Sequence, residues 1–308
     1  MKEWRARRST IEFESEGAVL RGFLYRAVEG EQPFPLVVMT HGTSATIPMT
    51  TDSYAERFAE AGVSALIYDH RSLGLSGGEP RQEINPWMQC RGYRDAITYA
   101  SRLEDHDENR IAIWGDSYSA GEIFVVAACD PRVRAVVAQC PTFGDEPPEI
   151  EPTDDVFEAM RRTLESGDVS GSPGDRTGPL PVVSSDQLGT PSALKPIQAF
   201  RWFIEYGGRH GSGWQNQVTR IVPTNTAPYS PFLCAPYVTT PSMMMVAPAD
   251  EMAHANPRVS RTAFELIPGE KEWHDLEGGH FGLLHYPSEL FEQTSAAQAA
   301  FLTKHLGT

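Results

Sequence analysis

The chain has 308 residues, 40% of them hydrophobic and 22% charged, which suits one large domain or a single core carrying a substantial insertion. Its net charge of −15 would be repelled by nucleic acid and by anionic membranes, so neither is an expected partner. No stretch approaches the roughly 20 consecutive apolar residues that a membrane span needs.

The N-terminal "MKEWRARRST" is basic, but no apolar run follows it, so it does not read as a secretory signal. "TIEFES" and "VLRGFLYRAV" alternate with the period of half-exposed strands, and "SEG" reads as the turn between them. "PLVVMTHG" is a continuous apolar run ending in glycine, the pattern of a strand buried on both faces. "TDSYAERFAEAG" reads as a helix capped by Asp52, with Tyr54, Phe58 and Ala61 on one face and Gly62 at its end. A strand "VSALIYDH", a helix "PWMQCRGYRDAITYASRL", a strand "RIAIWGD", a helix "AGEIFVVAACD" and a strand "VRAVVAQCP" follow. This alternation predicts a parallel sheet with helices on both faces.

The pattern breaks after Pro141. From about Thr142 to Thr240 the chain is irregular, and its Gly/Pro/Ser-rich part, residues 166–192, reads as loop and a source of mobility. Two helical pieces flank that part: "DDVFEAMRRTLE", with acidic residues in its first turn, and the aromatic "PIQAFRWFIEY". The sheet pattern resumes at "SMMMVAPAD" and "TAFELIPG", and a helix "SELFEQTSAAQAAFLTKHL" closes the chain. Residues 142–240 are therefore expected to be a cap inserted into a core made of 1–141 and 241–308. The aromatics Phe200, Trp202, Phe203, Tyr206 and Trp214 suggest a lid over an apolar pocket that binds the substrate. Four cysteines, Cys90, Cys129, Cys140 and Cys234, lie far apart and read as reduced thiols, in keeping with a cytoplasmic protein. No Cys/His pair has ligand spacing, so no metal and no other cofactor is expected.

The stretch that carries chemistry is "RIAIWGDSYSAGE", residues 110–122. A parallel sheet presents its ligands at the C-terminal ends of its strands. A serine on a sharp strand-to-helix turn at that end has its hydroxyl pushed out above the sheet. The turn is crowded, so the positions two before and two after the serine must be small; Gly115 and Ser119 meet that need around Ser117. The usual form has glycine at both ends, and Ser119 departs from it. Gly121 can still allow close packing of the helix.

The stretches "SEGAVLRGFLY", "MTHGTSA", "YDHRSLGLSGG", "GDSYSAG", "PADEMA" and "GGHFG" resemble, in order, the α/β-hydrolase superfamily. The resemblance is to its dienelactone-hydrolase-like and X-prolyl-peptidase-like serine esterases and acyltransferases. It implies an α/β-hydrolase fold: a mostly parallel eight-stranded sheet with helices on both faces and an inserted cap. The cap region matches only loosely, so substrate identity does not carry over. In this fold the partners of the serine follow in the order acid, histidine. Asp250, just past the apolar "SMMMV", stands where the family's acid belongs, with Glu251 as its rival. His280, in the glycine-loosened "EGGHFG", is the base, with His274 in a surface loop and His285 near the last helix as competitors.

The implied roles are Ser117 as nucleophile, His280 as the base that later protonates the leaving group, and Asp250 as the group that orients the imidazole. The backbone N–H groups of Thr43 and Tyr118 would meet the oxyanion. His41 reads as a structural residue of its loop. Asp69, Arg71 and the glycines of "DHRSLGLSGG" read as loop architecture, with a substrate contact from Arg71 as the alternative. Glu122 reads as a salt-bridge partner. The resemblance thus implies a serine hydrolase of a carboxylic ester, thioester or lactone, acting on a small-molecule acyl substrate. An acyltransferase with the same triad, a polyketide acyltransferase among them, is the alternative; a peptidase and a non-catalytic binding protein stand behind it. A homo-oligomer is compatible with the sequence.

Overall fold

The computed structural model describes residues 7–166, 175–223 and 227–307. β1 (Arg8–Ser15) and β2 (Ala18–Tyr25) form the expected hairpin across Glu16 and Gly17, both at positive φ. β3 (Phe34–Thr40), α1 (Thr51–Glu60), β4 (Ser64–Tyr68) and a two-residue β5 (Glu83–Ile84) follow. Next come α2 (Pro86–Ala100), β6 (His106–Asp116), α3 (Tyr118–Cys129) and β7 (Val133–Gln139). The chain then builds α4 (Asp154–Ser166), β8 (Asp175–Leu180), α5 (Ile197–Gly207), β9 (Val218–Val222) and the single turn α6 (Pro231–Cys234). β10 (Ser242–Val246), α7 (Pro257–Leu266), β11 (Lys271–Asp275) and α8 (Glu289–Leu306) complete it.

Eight strands form one sheet in the order β1-β2-β4-β3-β6-β7-β10-β11. β2 is antiparallel to both neighbours, and the other pairings are parallel. Because side chains alternate along a strand, apolar runs such as Leu36-Val37-Val38-Met39 feed two cores at once. Leu36, Val38, Ile111 and Ile113 pack with Trp87 and Tyr93 of α2 and Phe124 of α3. Val37, Met39, Ile67 and Trp114 pack on the other face with Tyr54 and Phe58 of α1 and Phe291 of α8. The α/β fold expected from the strand–helix alternation is the one observed. Among the described residues no helix is long and apolar enough to cross a membrane.

The excursion expected after Pro141 lies between β7 and β10, which are neighbours in the sheet. Within it β9 pairs with β8 and, across the chain, with β5, giving a three-stranded sheet. A third apolar cluster joins Trp202, Phe203, Tyr206 and Val218 of the excursion to Ala45, Met49, Phe281 and Leu284 of the loops above the main sheet. Trp202 Nε1 donates to the Leu284 carbonyl at 3.0 Å, and Thr46 Oγ1 to that of Ser212 at 2.6 Å.

Three local expectations are corrected. "TAFELIPG" is not strand; it is the end of α7 and the turn after it. The helix starts at Asn256, whose side chain accepts from Arg258 N, with Pro257 next, and buries Val259, Ser260, Ala263 and Phe264 at helical spacing. The strand is the following "KEWHD", β11, a sheet edge whose partial exposure hides its periodicity. Second, residues 175–180 of the presumed loop are strand β8, broken by a register shift between Thr177 and Leu180, around Gly178-Pro179; residues 167–174 of that loop lie outside the described residues. Third, Asp52 is inside α1 rather than its cap, which falls on Thr50.

Gly121 is where α3 meets the excursion. A Cβ there would lie 2.6 Å from the Thr142 carbonyl and 3.3 Å from Pro231. Because the first obstacle is backbone, Gly121→Ala should destabilise the fold by about 1–3 kcal/mol, measured as the shift in urea midpoint at unchanged slope.

Candidate active site

The site is built on the turn from β6 to α3. Ser117 sits between them at φ 55°, ψ −113°, a conformation that L-residues adopt only under external constraint. A Cβ on Gly115 would come 2.5 Å from the Ser119 carbonyl, which is the physical reason for glycine two residues before the serine. The loop after β3 closes on the same turn: a Cβ on Gly42 would lie 2.7 Å from Ser117 Cβ and 2.8 Å from the Asp116 carbonyl. The residue after it, Thr43, is thereby brought beside the serine.

Ser119 is small, but it is also wired. Its Oγ donates to the His41 carbonyl at 2.6 Å and contacts Thr40 Oγ1 and His70 Nε2 at 3.0 and 2.8 Å. Glycine would lose these links. Glu122, fully buried one turn further along α3, has Oε2 3.5 Å from His70 Nε2. Burial pushes the Glu122 carboxyl well up and the His70 imidazole well down, so it disfavours the charged forms that the expected salt bridge would need. His41 is buried with its Nε2 3.0 Å from Asp69 Oδ1. Asp69 also accepts from Ile47 N at 2.9 Å and Leu75 N at 2.8 Å, so it ties the loops after β3 and β4 together. Arg71 donates to the carbonyls of Glu79 and Glu16 and is not among the residues lining the pocket.

The structure brings Ser117, His280 and Asp250 together. His280 Nε2 lies 2.8 Å from Ser117 Oγ, and its Nδ1 lies 2.7 Å from Asp250 Oδ2. Asp250 Oδ1 accepts from Met252 N at 2.8 Å. Glu251 takes a different place: its Oε2 accepts from the backbone N of His280 at 2.9 Å and so fixes the loop rather than the ring. Gly278 and Gly279, at φ 102° and 70°, give that loop the turn it needs. His274 is in β11 with its Nε2 near Glu272, not in a surface loop, and His285 follows a short 3₁₀ turn against Tyr206; neither contacts Ser117. Burial alone would lower His280, but the hydrogen bond and charge of Asp250, with Asp116 and Glu251 behind it, outweigh burial and raise it above the usual histidine range.

Above the serine is a largely apolar pocket whose walls include Ala45, Leu194, Trp202, Phe203, Met252 and Leu284. Thr43 and Tyr118 line it, and among the described residues no acceptor meets either backbone N–H; Tyr118 is the first residue of α3, where amides have no partner inside the helix. Of the five aromatics expected over the pocket, Trp202 and Phe203 line it. Tyr206 stacks on Trp202, Trp214 lies against Phe203, and Phe200 packs in the same cluster, so these three stand behind the wall. Leu194 and Arg220 of the excursion also line the pocket, where the irregular chain gives no pattern to read, as does Met252, two residues after Asp250 in the loop following β10.

Asp116 was also missed, although it adjoins the serine. It is buried in the pocket floor, where burial, partly offset by His280 and by Gln139 Nε2 at 3.4 Å, raises it to about 6. The folded state thus binds a proton more tightly than the unfolded chain, whose aspartate titrates near 3.9. The resulting destabilisation is full above about pH 6 and absent below about pH 4. Asp116→Asn should therefore stabilise the protein by roughly 1–3 kcal/mol at pH 8 and leave it unchanged at pH 4. Denaturant titrations at the two pH values check this, and equal effects at both would refute it.

With the fold and geometry in hand, the relatives can be placed. A family model for X-Pro dipeptidyl peptidases (S15 family) matches residues 16–146. A thiohydrolase of Eupenicillium brefeldianum is 30% identical over 286 residues, covering 91% of this chain and 89% of that protein. A polyketide transferase of Aspergillus fumigatus is 28% identical over 300 residues, covering 97% and 99%. The crystal structure of the α/β hydrolase GrgF from Penicillium sp. superposes with a TM-score of 0.75 at 25% identity, covering 98% of this chain and all of that one. Sheet order, loop positions and these relatives agree: the chain belongs to the α/β-hydrolase superfamily, in one family with the thiohydrolase, and is an enzyme of that superfamily.

Proposed function

We propose that this enzyme hydrolyses a carboxylic thioester, ester or lactone through an acyl-enzyme on Ser117, with thioesters as the favoured class. The observation that carries the reading is the continuous hydrogen-bonded line Ser117–His280–Asp250 at 2.8 and 2.7 Å at the base of an apolar pocket. The thiohydrolase names among the relatives support the thioester.

His280 Nε2 takes the Ser117 proton as Oγ attacks the carbonyl carbon. The negative charge gathers on the former carbonyl oxygen, which the N–H groups of Thr43 and Tyr118 meet. These amides need no reorganisation, and each is worth roughly 3 kcal/mol of barrier. The tetrahedral intermediate collapses, the leaving thiol or alcohol takes the proton from His280, and Ser117 holds the acyl group. Water, activated by the same imidazole, releases the acid and restores the hydroxyl. Asp250 keeps the Nδ1 proton in place and steadies the imidazolium. Residues 142–240 act as a cap that selects the acyl group, with Trp202 and Phe203 forming its contact surface.

A second reading is acyl transfer, favoured by the likeness to the polyketide transferase over nearly its full length. It shares the acyl-enzyme and differs in the acceptor, an alcohol or amine in place of water.

A fluorophosphonate probe should label the wild type at Ser117 and leave Ser117→Ala unlabelled. Labelling at Ser119, or turnover undiminished in Ser117→Ala, would refute the assignment. Asp250→Ala and His280→Ala should each lose several orders of magnitude in kcat while melting cooperatively. The base must be neutral to work, so activity falls as pH drops through the His280 value, which lies above the usual 6.5. Removing the Asp116 charge should move this acid limb of kcat/KM to lower pH. Trp202→Ala should change the ranking of acyl chain lengths by about 1–3 kcal/mol in kcat/KM, and an unchanged ranking would argue against the cap's role.

A further inference from the structure

An arginine stands in the largely apolar pocket, which also holds Asp116, His254 and His280. Arg220 comes from β9 of the excursion and lines the same cavity as Ser117, Trp202, Phe203 and Met252. Its register neighbours are Ile84 on β5 and Thr177 on β8, so neither flanking strand sets an acid beside it. Among the described residues no carboxylate lies within ion-pair distance of it and no carbonyl accepts from it. Other arginines are answered: the buried Arg91 by Glu16 at 2.8 Å, Arg132 by Asp130 at 2.6 Å, and even the exposed Arg176, on the adjoining strand, by Glu83 at 3.4 Å. His254, at the same pocket, is occupied by Asp145 at 2.6 Å.

A second polar group shares the pocket: Tyr118 lines it together with Arg220. Burial and the Glu122 carboxylate hold the Tyr118 phenol up, and the charge of Arg220 partly offsets them. Among the described residues that hydroxyl has no hydrogen-bond partner. A guanidinium and a phenol, both unanswered and both in an apolar enclosure, make a receptor for an anion. A half-buried guanidinium with no protein counter-charge is free to meet an anion that enters the pocket. In a chain of net charge −15, with 41 acidic residues available to pair, such an arginine stands out.

We infer that Arg220, with the Tyr118 hydroxyl, binds an anionic group on the substrate, a carboxylate carried by the acyl chain away from the scissile carbonyl. This rests on the reading of Ser117 as the nucleophile and adds the substrate's charge to it. Guanidinium–carboxylate geometry permits two parallel hydrogen bonds, which would fix the acyl chain's register in a pocket whose walls are largely apolar.

The test compares the N-acetylcysteamine thioester of adipic acid, whose far carboxylate is free, with that of its monomethyl ester. Wild type should prefer the free acid. In Arg220→Gln the ratio of kcat/KM for free acid over methyl ester should fall roughly 10- to 100-fold, the usual cost of losing a hydrogen-bonded charge pair. Arg220→Lys should restore part of it. A second arm compares hexanoyl thioesters of N-acetylcysteamine and of phosphopantetheine. If Arg220→Gln lowers only the latter, the anion belongs to the leaving group, and the acyl-carboxylate assignment is overturned. Equal losses on charged and neutral substrates also overturn it. Fluorophosphonate labelling is run on every variant. Labelled enzyme without charge preference sinks the anion site alone, whereas unlabelled wild type sinks the nucleophile as well. Where turnover is slow, heptanoate should slow the labelling of wild type more than heptan-1-ol does and lose that advantage in Arg220→Gln; equal protection in wild type would refute the site.

Discussion

The site depends on one close approach, the β6–α3 turn folding back so tightly that Gly115 lies against the Ser119 carbonyl with no room for a side chain between them. That contact forces Ser117 to φ 55° and lifts its hydroxyl above the strand ends. Two other pieces of chain are locked to the same point. Gly42 presses on Ser117 Cβ from β3, and Thr142 N donates to the Ser117 carbonyl at 3.2 Å from the far side of β7. A strained residue of this kind costs on the order of 1–3 kcal/mol. It persists because the parallel strands on either side, β3 and β7, over-determine the turn's position.

Beneath the turn lies a polar layer that the apolar sheet would not be expected to contain. Thr40, His70, Tyr93, Ser119 and Glu122 are buried together, and Tyr93 OH donates to the Trp114 carbonyl at 2.9 Å. Burial shifts Glu122 and His70 toward their neutral forms, the direction that lessens the desolvation a buried ion pair would incur. The layer spans the ends of β3, β4 and β6 and the start of α3, so it fixes their relative heights where packing of aliphatic side chains alone would tolerate sliding. Asp69 does the same for the loops above, holding Ile47 and Leu75 by their backbone amides.

The histidine that meets Ser117 and the carboxylate behind it come from the other end of the chain. Asp250 and Glu251 are adjacent, yet they divide the work: one carboxylate meets the imidazole and the other the backbone amide of the same histidine. The loop that carries His280 is pinned in turn by the excursion, since Leu284, four residues on, accepts from both Trp202 Nε1 and Thr50 Oγ1. The pocket wall and the loop of His280 therefore share a support, the Leu284 carbonyl.

The sequence by itself determined most of the sheet and the turn that carries Ser117. Continuous apolar runs, glycines at strand ends and the spacing of Gly115, Ser117 and Ser119 are local properties, and local sterics need no distant partner to be legible. The resemblance carried Asp250 and His280 because their loops are short and glycine-marked. Tertiary structure alone decided the rest. "TAFELIPG" and "KEWHD" exchanged roles because one helical face packs on the core and the other segment is an exposed edge. Asp116 and Glu122 acquired their protonation preferences from burial, which composition does not record. Only Trp202 and Phe203 of the five aromatics reached the pocket, because the direction of α5 over the sheet is set by contacts with the loops of Ala45, Met49 and Leu284. Arg220 entered the pocket through the pairing of β9 with β5, two segments more than 130 residues apart in the chain. No local pattern encodes such a meeting, since what joins the two strands is backbone hydrogen bonding that almost any sequence can supply.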